Sequence, residues 1–439
     1  MGKKDFNVEE YRIGDGVRII LLPIPYRRAL VTGFWVLSGS ALEPEKLQGI
    51  NHFLEHIVFR GTENFSSREI VENIESLGGG IDAYTSKEET CYYATVLGEN
   101  VDMAVRILSD LVSRPMMRPK DVEMERNVIF AEIDDINDEP ESLAQELFLM
   151  LLFGNTSLGR PIMGTQKTVA QISRDDLADY WRNYYCDENI LIGAAGAVEP
   201  LRFVELVSKY LSCPRMKNNK RKYNLKYGND FDGKFVIIPR VAQQIHFFVG
   251  VRTFPFSDER RYALVLLDVI LGRGSSSRLF QIIREEMGLA YNIQSFYEFY
   301  TNTGLWAVYA GTPQTNLNKT ANQIFKQINE IAQSMVSEKE LNNAKNFIRG
   351  RLLLSAESLW TNLNRTIESY RYLNHSISAG ETTERIMAVS AEEINRLAQE
   401  LFTPQKIVAF ALGDINTKEI QDIPLEIVET KIAEIFPAI

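Results

Sequence analysis

The sequence predicts an α+β chain built of two duplicated domains, each a mostly antiparallel sheet packed with helices. Three observations carry this. The chain has 439 residues, too many for one core and enough for two domains of about 200 residues. Short β-rich runs bounded by Gly, Pro and polar clusters are interspersed with longer segments of helical period. Finally, features recur at one offset. Ser173 and Ser390 each open an N-cap signature with an acid three residues on, and 390 − 173 = 217. The apolar runs Ile190–Gly196 and Ile407–Gly413 repeat that offset, as do Gly16–Leu21 and Gly233–Ile238. Three matches at one spacing indicate an internal duplication. The expected division is 1–213, a polar, basic linker 214–228 (Lys217, Lys220, Arg221, Lys222, Lys226), and 229–439.

In order, Val17–Leu22 reads as a strand, followed by a Pro-bearing turn at 23–26 and a second strand, Ala29–Leu37, rich in Val and aromatics. Ser38–Ala41 is a loop. A helix then runs from near Gln48 to just before Gly61. Ser66 caps another that stops at Gly78-Gly79-Gly80. Ile81–Thr85 and Thr90–Leu97 read as paired strands. Asn100–Val112 and Pro119–Ile136 are helical; Pro140 breaks the second, and another helix runs from Glu141 to about Phe153. Ser173 caps a helix to about Tyr185, and its counterpart runs from Ser390 to Phe402. Arg261–Ile270 is an apolar core helix. The Gly-rich turn after it, Gly272–Ser277, lacks the Lys of a phosphate loop and reads as a loop-to-helix turn.

His52-Phe53-Leu54-Glu55-His56 is the stretch with chemistry. It has the form H-x-x-E-H, the inverse of the zinc-protease motif H-E-x-x-H. On a helix, positions 52 and 56 stand one above the other, so two imidazoles can grip one tetrahedral Zn²⁺. Glu55 flanks that face, within reach of a metal-bound water. Two of the chain's four histidines fall here. The alternative is a pair of histidines on the half-buried face of an ordinary helix. A third ligand is required, and the helix downstream offers Glu123, Glu125 and Glu132, before Asp134 and Asp135; spacing alone does not choose among them.

His52–His56 followed by Phe59-Arg60-Gly61-Thr62 resembles the insulinase/pitrilysin family of inverted zinc peptidases, and the resemblance spans nearly the whole chain. The family's E-R-x-V-I-x-x-E segment has its counterpart in Glu125-Arg126-Asn127-Val128-Ile129-Phe130-Ala131-Glu132. The resemblance implies Glu132 as the third ligand and Glu125, two turns earlier, as a group supporting the metal shell. It implies that Asp82-Ala83-Tyr84-Thr85 is an edge strand beside the zinc, to which a peptide adds as one more strand. The family often has Asn where Asp82 stands; the backbone role expected for Ala83 does not depend on that side chain. Leu158–Thr165 is similar to a family loop, with Thr156-Ser157 where His-Pro is usual. Arg284-Glu285-Glu286-Met287-Gly288-Leu289-Ala290-Tyr291 resembles R-x-x-x-G-L-A-Y, whose Arg and Tyr reach the substrate at the zinc. Without the resemblance, these are a surface Arg and a core Tyr.

The expected activity is therefore that of a zinc-dependent endopeptidase or oligopeptidase, cutting unfolded peptides inside a closed chamber. His52, His56 and Glu132 bind Zn²⁺, Glu55 is general base, and Arg284 and Tyr291 hold the carbonyl oxygen. The family forms clamshells of two such two-domain halves. A chain carrying both the zinc set and the Arg/Tyr pair resembles members that form homodimers, or pair with a closely related chain. The alternatives are a non-catalytic scaffold of the same fold and a presequence-type processing peptidase; the latter's partner bears a long Gly-rich loop that is not seen here. Net charge −10 argues against nucleic acid as a partner. No run of about 18 apolar residues suggests a membrane span, and no apolar run follows Lys3-Lys4 as in a signal peptide. Three scattered cysteines, Cys91, Cys186 and Cys213, point to a reducing, cytoplasmic setting.

Overall fold

The computed structural model describes residues 7–14, 16–213 and 230–435. Their contacts cluster into two compact units, each holding one six-stranded sheet packed with helices. The first sheet contains β1 (Glu9–Ile13), β2 (Val17–Pro23), β3 (Ala29–Val36), β4 (Gly80–Thr85), β5 (Thr90–Leu97) and β6 (Ile190–Gly196), in the order β1-β2-β6-β3-β5-β4. Only the β2–β6 pairing is parallel.

The second sheet contains β7 (Lys234–Pro239), β8 (Ile245–Thr253), β9 (Asn292–Phe299), β10 (Gly304–Thr312), β11 (Val408–Gly413) and β12 (Glu426–Glu429). Its order is β12-β7-β11-β8-β10-β9. Five strands match the first sheet position for position, as the 217-residue offset anticipates. The sixth differs: β1 precedes β2 and pairs with it antiparallel, whereas β12 comes from the chain's far end and lies parallel to β7. The repeated capping signatures both form: Ser173 with Asp176 and Ser390 with Glu393 make reciprocal side-chain-to-backbone bonds.

The contiguous division at residue 213 is not how the contacts group. Residues 135–159 belong to the second unit and 355–378 to the first. The helix Pro140–Phe153 packs on β8 and β11, with Phe148 stacked on Phe248 at 5.0 Å. The helix Leu359–Leu373 packs on β3 and β6, closing a core of Ile20, Val31, Trp35 and Leu191 with Leu363 and Ile367. Gly193 of β6 allows this approach, since a Cβ there would lie 2.8 Å from the tips of Leu363 and Ile367. These helices stand at matching points of the repeat, so each half of the chain lends its equivalent helix to the other half's sheet. Apolar sheet faces need covering, whichever half supplies the cover. The expected linker, 214–228, lies outside the described residues.

Candidate metal centre

The helix Ile50–Val58 carries the motif because its apolar positions fall on one side. Ile50, Phe53, Leu54, Ile57 and Val58 are buried in the core under the first sheet. His52, Glu55 and His56 are spaced i, i+3, i+4 on the other side and remain partly open. Its N-terminus is held from outside the helix. Gly49 takes φ +91°, where a Cβ would also lie 2.3 Å from Met163 O. The buried carboxylate of Glu43 accepts from Gly49 N–H at 2.7 Å and from Asn51 N–H at 2.9 Å. The Asn51 amide donates to Glu43 as well, and Ser38 Oγ donates to Asn51 Oδ1 at 3.1 Å. Burial pushes the Glu43 carboxyl up to about 7 against these bonds.

The second element is the helix Pro119–Asp138. Glu125 and Glu132 are two turns apart and so share a face. The structure brings His52, His56 and Glu132 together, with one candidate ligand atom from each within 4.8 Å of the others. His52 Nε2 lies 3.8 Å and His56 Nε2 3.5 Å from Glu132 Oε2. Two ligand atoms on one tetrahedral Zn²⁺, at about 2.0–2.1 Å each, stand about 3.4 Å apart. The set thus fits a zinc ion with little adjustment.

Protonation fits too. Burial, with His56 nearby, pushes His52 down to about 3, which keeps it neutral and its lone pair free. His56 Nδ1 lies 3.1 Å from Glu125 Oε2; a carboxylate accepts, so Nδ1 carries the proton and Nε2 faces Glu132. Burial opposes the charged form of His56, but the Glu125 bond and the Glu132 and Glu55 charges raise its pKa overall. Glu125 is itself almost fully buried, where desolvation favours its neutral form. The bonds from His56 and Arg60 overcome that and hold its pKa below the usual value. Arg60, just past the helix, was not anticipated as a site residue. Among the described residues the buried His52 Nδ1 has no hydrogen-bond partner, so His52 lacks the anchor that His56 has.

Glu55 lies beside this set. Burial raises its carboxyl, opposed by a hydrogen bond that Thr85 Oγ1 donates to Oε2 at 2.5 Å. Thr85 and Ala83 belong to β4, which is the edge of the first sheet. The Asp82 carboxylate accepts from Ala83 N–H at 2.8 Å and from Tyr93 OH at 3.2 Å. The Ala83 N–H, the backbone donor expected to meet a substrate, is taken up by the Asp82 side chain.

Arg284 and Tyr291 belong to the second unit. Arg284 lies in a seven-residue π-helical segment, Phe280–Glu286, its guanidinium 4.8 Å from the Phe280 ring and its side chain 45% exposed. Tyr291 is 76% exposed, not a core residue. The wider π turn was not anticipated; such turns are frequent at functional sites.

Two family patterns match the chain: insulinase (peptidase family M16) over residues 18–166, and the peptidase M16 inactive domain over 171–348. The first contains every residue of the metal set, the second Arg284 and Tyr291. An uncharacterized zinc protease of Bacillus subtilis, YmxG, is 33% identical over 402 residues, covering 92% of this chain and 97% of its own. An uncharacterized zinc protease of Mycobacterium tuberculosis, Rv2782c, is 32% identical over 405 residues, 92% of either chain. Among solved structures, a protease from Helicobacter pylori superposes with a TM-score of 0.87 at 18% identity, covering 93% of this chain and 99% of that one. The peptidase M16 inactive domain from Pseudomonas fluorescens does so at 0.82 and 16%, covering 95% and 100%. At those identities the structural likeness concerns the fold alone.

Proposed function

The chain belongs to the insulinase (M16) family of peptidases, whose relatives are named zinc proteases, and from that premise we propose that it is an active zinc endopeptidase of unfolded peptides. The observation that carries the proposal is the convergence of His52, His56 and Glu132 with Glu55 alongside. A scaffold has no use for a neutral, metal-ready His52 or for a buried Glu125 spent on orienting His56.

Zinc, when bound, supplies a Lewis acid that polarises the carbonyl and lowers the pKa of a water. His52, His56 and Glu132 would hold it, and Glu125 with Arg60 would fix the ring of His56. Glu55 takes a proton from water as the water oxygen bonds to the scissile carbonyl carbon. It returns a proton to the amine nitrogen as the C–N bond breaks. The peptide lies as an added strand on β4, the open edge of the sheet.

Arg284 and Tyr291 are donors suited to the carbonyl oxygen as it gains charge. In our reading they act from a partner subunit, in a homodimer whose closed chamber admits peptides by size. We expect neither nucleic acid nor a membrane as a partner; the net charge of −10 supports the first expectation, and no described helix is long and apolar enough to cross a membrane. We place the protein in the cytoplasm, in keeping with its three free cysteines.

The test is cleavage of a mixed peptide library by metal-replete protein, with and without chelator, beside zinc analysis. Chelator-sensitive cleavage with one zinc per chain is expected; a zinc-loaded chain that cuts nothing refutes the proposal. Mixing Glu55→Gln with Tyr291→Phe subunits tests the sharing of sites, and mixed dimers that recover no activity refute it.

A further inference from the structure

One contact to Glu55 is explained by neither metal binding nor the core. Thr85 closes β4, opposite Thr90 of β5. Thr90 is fully buried, and its single hydroxyl proton goes to Ser38 O at 3.1 Å. It therefore has no proton to give Thr85, whose Oγ1 is 3.4 Å away. The one proton of Thr85 is directed at Glu55 Oε2, 2.5 Å distant. Oε1 of Glu55 is left for other work.

The backbone of Thr85 has a second orientation to satisfy. Ser86 N–H donates to Glu89 O at 2.8 Å, which fixes the alternation of the hairpin. By that alternation Thr85↔Thr90 and Ala83↔Tyr92 are non-hydrogen-bonded pairs, and the N–H and C=O groups of Thr85 and Ala83 face the open edge. The residue whose hydroxyl grips the carboxylate is thus part of the rail along which a peptide strand would pair.

We propose that Thr85 is a positioning residue for peptide hydrolysis: its hydroxyl pins one oxygen of Glu55, aims the other at the water, and ties that aim to the edge strand carrying the substrate. The inference rests on Glu55 being the base. Thr85 touches no reacting atom and acts through Glu55.

The experiment compares Thr85→Val and Thr85→Ser with wild type. Valine keeps the β-branched shape that suits a strand and removes only the donor; serine keeps the donor. We expect Thr85→Val to lower kcat by about 10–100-fold, the scale of a misplaced catalytic group, with KM within about two-fold of wild type. Thr85→Ser should restore kcat to within about three-fold. Two readouts do not depend on turnover: zinc content should stay at the wild-type value, and in a Glu55→Gln background Thr85→Val should leave the Kd for an uncleaved peptide unchanged. Wild-type kcat in Thr85→Val, an equal fall in Thr85→Ser, or loss of zinc from Thr85→Val each overturns the inference. If Thr85→Val does not fold, Thr85→Ala takes its place against Thr85→Ser. An active wild type with an indifferent Thr85→Val sinks this inference and leaves the peptidase reading standing; a zinc-loaded but inactive wild type sinks both.

Discussion

The helices Ile50–Val58 and Arg261–Leu271 hold the same place in the two repeats. Each packs on the edge strand of its own sheet, β4 or β9, and on the helix behind the repeated capping box, Arg174–Tyr184 or Ala391–Leu401. Their surroundings differ. In the first, one face is core and the other presents His52, Glu55 and His56. In the second, every residue but Val265 is buried, and its one acid, Asp268, is absorbed by Ser295 Oγ at 2.6 Å and Trp306 Nε1 at 3.1 Å. The start of the first is held by the Glu43 carboxylate, whereas among the described residues no side chain caps the second. The frame is indifferent to chemistry. What separates a site from a core helix is a few polar residues and the buried polar groups that aim them.

The largest expected effect comes from neutralising the acid of each helix. Glu55→Gln should keep zinc and melting temperature and lower kcat by about 10²–10⁴-fold, the range of general acid–base catalysis. Asp268→Asn should do the reverse, losing on the order of 1–3 kcal/mol of stability while kcat per folded molecule holds. Peptide-cleavage kinetics and melts on both variants decide the matter; wild-type turnover in Glu55→Gln would erase the distinction between the helices.

Glu43 sharpens the contrast through pH. Burial lifts its carboxyl from 4.5 to about 7, with Asn51 and Gly49 bonds and the Arg160 charge opposing. A folded-state pKa above the unfolded one means that the folded chain binds the proton more tightly. This contribution, about 3 kcal/mol, is full below about pH 4.5 and is lost as pH rises through about 7. Tyr180, which also bonds Asn51, is pushed well above its usual range by burial and by Glu43, and so does not titrate in this window. Gln is the neutral isostere of the protonated carboxyl, so melting curves of wild type and Glu43→Gln should differ least near pH 5 and most near pH 8, where the buried charge makes wild type the less stable. A wild type that instead gains on Glu43→Gln as pH rises toward 8 would show that the Glu43 charge is welcome at the helix start.

What the sequence disclosed follows from how local each signal is. The strands at 17–22, 29–37, 81–85, 90–97, 190–196 and 407–413, the metal helix and both capping boxes were readable because period and capping act within a few residues; β1, β8, β9, β10 and β12 were not read. His52, Glu55 and His56 declare themselves by one turn of helix. Glu132 needed the resemblance, because its neighbours Glu123, Glu125 and Asp134 offer the same chemistry at similar spacing. Glu43, Arg60 and the Thr85–Glu55 contact escaped notice because their meaning arises only where separate segments meet. The helix Pro140–Phe153 was readable from Glu141 on and Leu359–Leu373 was not read, and their exchange between sheets is a matter of tertiary contact that no local pattern encodes.

Glu125 is a smaller lever than Glu55. Glu125→Gln keeps the shape but removes the charge that holds the His56 proton and the Arg60 guanidinium. Zinc affinity should fall by about 10–100-fold, as for other groups that orient a ligand. Competition with a chelator of known affinity measures this. An unchanged zinc Kd would mean that His56 is held by its helix alone.

The smallest effect belongs to the edge strand, and its sign is the informative part. For a peptide to pair with the Ala83 N–H, the Asp82 carboxylate that now accepts from it must let go. A hydrogen bond to a charged group in a partly exposed place is worth about 1 kcal/mol net, or about a five-fold change in an equilibrium constant. Asp82→Ala should therefore lower KM by up to about five-fold with kcat nearly unchanged, since the donor is freed before the peptide arrives. Removing a residue that binds substrate would raise KM instead. The direction of that shift, read from initial rates on a neutral peptide, tells whether Asp82 competes with the substrate for the edge or helps to hold it there.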